Sequence, residues 1–76
     1  MDYKAVAAEV RLLARDYEKS ATTIEATVPE YAEPEIAARV QRRAESIRWM
    51  GHCLGVAAMT LEFEGAHKDA RERTVP

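Results

Sequence analysis

The sequence predicts an all-α fold, an antiparallel helical hairpin of two long helices that dimerises into a four-helix bundle. Three observations predict it. Apolar residues recur at alternating steps of three and four along both halves of the chain. A single proline-bounded interruption separates those halves. The composition, 47% hydrophobic and 32% charged with three glycines and three prolines, belongs to a helix-rich globular chain and not to a disordered one.

The first helix is expected over residues 2–26, a stretch without glycine or proline. Tyr3, Val10, Tyr17 and Ile24 repeat every seven residues, and Val6, Leu13 and Ser20 form the companion row that completes a heptad seam. Ala7, Ala14 and Ala21 lie directly beside that seam, where small side chains let a neighbouring helix come close.

Residues 27–33 form the loop. Each of Pro29 and Pro34 removes a backbone donor and turns its predecessor away from helical geometry, and a connection this short calls for antiparallel neighbours. Pro34 suits the first position of a second helix, with Glu35 in the first turn facing the positive end of the helix dipole.

The second helix is expected over residues 34–64, with Gly65 as its C-terminal cap signal. Val40, Ile47, Leu54 and Leu61 recur every seven residues, and Ala37, Ala44, Gly51 and Ala58 make a parallel row three positions earlier. Large and small rows on both helices match what a close antiparallel pair requires. Gly51 and Gly55 each cost about 1 kcal/mol relative to alanine inside a helix, so close contact or a mild bend is expected there. Residues 1–65 thus make the hairpin, and residues 66–76, rich in charge, are read as a C-terminal tail or frayed helix.

Association follows from size and from excess apolar surface. A chain of 76 residues is near the lower limit for a self-sufficient core, and one cysteine and two histidines leave little scope for a disulfide or structural metal. From Trp49 to Phe63 the apolar residues point all around the second helix, more than one partner helix covers. Trp49, Met50, Val56, Met59 and Phe63 are therefore the expected self-association or partner interface, and a homodimer is the expected state.

Chemistry is thin. His52 and Cys53 are adjacent, but helix neighbours point about 100° apart and nothing orients the histidine as a base. Glu64-x-x-His67 has the spacing of a di-iron ligand pair, without the further glutamates such a site needs. No catalytic residue, metal site or cofactor is expected. Arg39, Arg42 and Arg43 are candidate phosphate or partner contacts, extended toward Arg48, Arg11 and Arg15, although interspersed acids and a net charge of -2 favour a solvated surface over a nucleic-acid site. The N-terminus lacks the basic start and apolar run of a signal peptide, and no apolar stretch is long enough for a membrane span, so a cytoplasmic location is expected.

By elimination the chain reads as a non-enzymatic protein-protein interaction module. It is an inhibitor or adaptor type of regulator that binds a larger protein, of the kind mobile elements and phages carry. The alternative is a nucleic-acid-associated regulator that uses the arginine strip of the second helix.

Overall fold

A computed structural model describes residues 2–74, with side chains through residue 72. Helix α1 runs Tyr3–Ala26, a short 3-10 turn covers Val28–Glu30, and helix α2 runs Pro34–Thr74. The two helices lie side by side as a rod of 68 × 14 × 13 Å.

Each boundary has a local cause. Asp2 caps α1, its carboxylate accepting a hydrogen bond from the Ala5 N–H at 3.2 Å, which satisfies one of the donors orphaned at a helix start. Pro29 lacks an N–H, and its ring would collide with the carbonyl of Glu25 in a continuing helix, so α1 ends at Ala26. The chain then tightens: the Thr27 hydroxyl and N–H both donate to the Ile24 carbonyl, and the Glu30 N–H donates to the Thr27 carbonyl at 2.9 Å. Pro34 opens α2 where its missing donor costs nothing, and the Ala37 N–H reaches back to the Glu33 carbonyl at 3.0 Å.

Helix α2 does not stop at Gly65. It continues through Thr74, and no described glycine has a positive φ, so Gly65 is not a left-handed cap. A Cβ on Gly65 would stand 3.0 Å from the Cβ of Tyr3, and one on Gly51 would stand 3.2 Å from both the Cβ of Tyr17 and the carbonyl oxygen of Ala14. Both glycines are absent side chains that let a tyrosine of α1 lie against the α2 backbone. Gly65 therefore continues the small row Ala37, Ala44, Gly51, Ala58, and residues 66–74 are a helical overhang reaching about 13 Å past Tyr3.

Facing residue numbers add to 68 in both tyrosine–glycine pairs. The same register sets Ala7 against Leu61, Val10 against Ala58, Ala14 against Leu54, Ala21 against Ile47 and Ile24 against Ala44. Large meets small at every level. Among the described residues the only fully buried apolar side chains are Ala7, Ala21, Ala44 and Ala58, while the large seam residues are half-buried around them. This corrects the expected seam of α1. The alanines occupy the row facing α2, and the Val6, Leu13 and Ser20 row lies to its side, with Val6 half-buried, Ser20 exposed and Leu13 47% exposed. Alanine wins the central position because backbones this close leave no volume for leucine there.

The two flanks of the seam differ in chemistry. On one, Arg11 makes a two-point hydrogen-bonded ion pair with Glu62, and the Arg48 guanidinium donates to Glu25 at 2.8 Å, joined by the Gln41 amide at 3.2 Å. Hydrogen bonds from arginine, above all, hold the Glu25 and Glu62 carboxyls below their ordinary value. A folded-state value below the unfolded one stabilises the fold above the unfolded value and loses that contribution as pH falls through the folded one. Thermal midpoints are therefore expected to decline on acidification below about pH 4.5. A Glu25→Gln, Glu62→Gln variant should start lower at neutral pH and lose less between pH 7 and pH 3. An unchanged acid profile in that variant would mean the two pairs contribute nothing. Along the other flank the register brings Leu13 toward Met50, both partly exposed.

Candidate functional site

Helix α2 carries a second apolar stripe on its back. Trp49, His52, Val56, Met59 and Phe63 follow the alternating three-and-four spacing of a heptad seam, continued by Ala66 and Ala70. At 100° per residue this stripe is centred about 140° around α2 from the face that meets α1. Trp49 is 65% exposed, Met59 61% and Phe63 67%, with Val56 half-exposed between them. Two histidines stiffen it: His52 stacks on Trp49 at 5.4 Å between ring centres, and His67 lies nearly parallel to Phe63 at 6.0 Å.

Four of the five residues expected at the interface thus fall on one surface, and Met50 does not. One residue beyond Trp49 is a third of a turn away, which places Met50 on the opposite flank beside Leu13. His52 is the member that residue-type reasoning passes over, because a histidine breaks an apolar run. The 3-4 spacing on either side of it was the signal available.

Between the stripe and α1 lies an open groove of about 320 Å³, floored by Gly51 and Gly55 and edged by Arg11, Arg15, Glu18 and Met59. The ion-pair flank is interrupted here, because the register of Arg11–Glu62 and Arg48–Glu25 puts Glu18 across from Gly55. A Cβ on Gly55 would meet nothing within 4 Å, so the close contact that accounts for Gly51 and Gly65 does not account for Gly55.

The arginines separate into two groups. Arg39, Arg42 and Arg43 are exposed on neighbouring turns of α2 and make no ion pair among the described residues. Glu35, at the helix spacing that suits an ion pair with Arg39, makes none either. Arg11 and Arg48 are held by Glu62 and Glu25, and the antiparallel register sets Arg15 nearly three turns and Arg11 nearly four turns along the rod from Arg43. The longer basic strip does not assemble.

Cys53 is an exposed free thiol, and His52 turns away from it to stack on Trp49. Among the described residues no group of three or more His, Cys, Asp or Glu is placed to hold a metal ion, and no helix is long and apolar enough to cross a membrane. Compared with protein families, curated proteins and solved structures, the chain shows no significant match to any.

Proposed function

We propose that the protein is a non-enzymatic interaction module, a homodimer of helical hairpins that regulates a larger protein by occupying part of its surface. The uncovered apolar stripe from Trp49 to Phe63 carries this reading. A chain of this mass folded compactly would expose about 4,700 Å², against 5989 Å² for this hairpin, an excess of about 1,300 Å². A standard specific interface removes about 800 Å² from each partner, so one self-association interface accounts for most of the excess. With the stripe covered by a second copy, the surfaces left for the larger protein are Arg39, Arg42, Arg43 and the loop around Tyr31 at the far end of the rod. Those arginines are unpaired and exposed, suited to carboxylates on a partner. The protein acts in this reading as a cytoplasmic inhibitor or adaptor.

A photo-crosslinking residue placed at position 63 or at position 42 in living cells tests the division of labour. Position 63 should give an adduct of dimer mass alone. Position 42 should give an adduct with a larger protein, weakened when Arg39 and Arg43 are both replaced by alanine. Adducts to a foreign protein at position 63, or none at position 42, would contradict the assignment.

The same unpaired arginine trio favours a second reading, a regulator associated with nucleic acid. Saturable binding of a fluorescent duplex, lost in an Arg39→Ala, Arg42→Ala, Arg43→Ala variant and falling steeply with salt, would establish it. With only three arginines in the cluster and net negative charge, no saturable binding is expected near physiological salt.

A further inference from the structure

We infer that the second copy lies antiparallel along the back of α2, with the two-fold axis between Val56 and Met59, so that α2 and its copy form the centre of the assembly and the two α1 helices its outside. This arrangement rests on the homodimer proposed above and specifies its geometry.

The hairpin shows the rule by which this chain packs helices: antiparallel, in heptad layers, with large side chains against small ones. Applied to the back stripe, antiparallel heptad layering with the largest side chain set against a small one favours one alignment. Where facing numbers add to 115, Trp49 meets the partner's Ala66, His52 meets the partner's Phe63, and Val56 meets the partner's Met59. Each layer then repeats across the axis, as an isologous interface requires. Every large member of the stripe is covered, and the largest, Trp49, faces an alanine.

The flanks agree. On the groove side the same alignment brings Arg48 toward the partner's Glu62, opposite charges at helix-flank spacing. It also brings Gly55 to its own copy across the axis. Gly55 is the one glycine at which an added Cβ would meet nothing inside the hairpin, and here two bare backbones meet where a side chain would keep the helices apart. Sliding by one heptad toward the loop sets the Glu45 carboxylate against Phe63 and leaves Ala66 without an apolar partner. A parallel pairing stacks Trp49 on Trp49 and His52 on His52, with no small residue opposite a large one.

Ser46, Cys53, Thr60 and His67 are all exposed and seven residues apart, on the far flank of the stripe. In the inferred alignment Thr60 faces its own copy, and Cys53 faces the partner's His67. A nitroxide on native Cys53, or on a cysteine placed at 46, 60 or 67 in a Cys53→Ser background, reports the axial offset by pulsed dipolar spectroscopy. The shortest distance is expected at 60. With the two-fold axis between Val56 and Met59, the axial offsets expected between the two labels are about 8 Å at 60, about 14 Å at 53, about 29 Å at 67 and about 35 Å at 46. A minimum at another site, or uniformly short distances at all four, would overturn the alignment while leaving the dimer intact. Absence of dipolar coupling at every site in concentrated protein would overturn the dimer on which it rests.

Discussion

Replacing Gly51 by leucine is expected to destabilise the hairpin strongly. The position has no spare volume: a bare Cβ there stands 3.2 Å from the Ala14 carbonyl oxygen and from the Cβ of Tyr17, and three further carbons must displace one helix or the tyrosine. Overpacking of this kind costs about 1–3 kcal/mol and more where backbone lies in the way. Leucine recovers just under 1 kcal/mol through helix propensity. The total stability is itself only about 4–11 kcal/mol for a chain of this length. The thermal midpoint should fall by roughly 10–20 °C, as measured by circular dichroism at 222 nm. Replacing Tyr17 by alanine in the Gly51→Leu chain should restore part of the loss, because it vacates the volume the leucine needs. A Gly51→Leu protein as stable as the native one would mean that Tyr17 does not face Gly51, and the register of the hairpin would be wrong.

The second large effect is on assembly and should spare the fold. Met59→Glu with Phe63→Glu puts two carboxylates into the back stripe of each copy, so a symmetric dimer receives four. Each large apolar side chain taken from a buried interface forfeits about 1.5–3 kcal/mol, before the cost of desolvating the new charges. Association should weaken by at least a hundredfold, since every 1.4 kcal/mol is a factor of ten. Neither side chain belongs to the buried row of α2, and both are more than three-fifths exposed, so helix content should be kept at concentrations where the fold survives alone. Sedimentation velocity on the double variant reads this directly. A dimer boundary unchanged from the native protein would remove the stripe as the interface.

Much of the fold was legible because helix periodicity is a local property. The pair of helices, the start of α2 at Pro34 and the break around Pro29 follow from sterics that act within four residues. The seam of α1 was harder. Reading large residues as the contact row made Val6, Leu13 and Ser20 the partners of Tyr3 and Val10, whereas close packing of two backbones puts alanine in that row. The pattern of α2, where the small row was correctly placed beside Val40 and Ile47, contained the answer for α1. Gly65 misleads for a similar reason. A glycine near a charged segment resembles a helix cap, but it stands seven residues after Ala58 and fourteen after Gly51, as Tyr3 stands fourteen before Tyr17. The two tyrosines and two glycines share one spacing because each tyrosine needs a missing side chain opposite.

The candidate surface was legible in part. Excess apolar residues on α2 pointed to Trp49, Val56, Met59 and Phe63, and the structure joins them into one stripe. Composition alone could not exclude Met50, since its face depends on the phase of the helix against α1. Nor could it separate Arg39, Arg42 and Arg43 from Arg11 and Arg48, because the ion pairs that neutralise the latter join residues distant in sequence. Long-range pairing of charges depends on the register, and the register depends on which row is small.

The uncovered back of α2 as a self-association surface is the centre of this account, and sedimentation equilibrium of the native chain from sub-micromolar to hundred-micromolar concentration tests it most directly. A mass twice that of the 8.5 kDa chain is expected over the upper part of that range, declining toward a single chain on dilution. A mass of one chain throughout, with full helix content, would contradict it. The stripe from Trp49 to Phe63 would then be the vacant docking site for the larger partner.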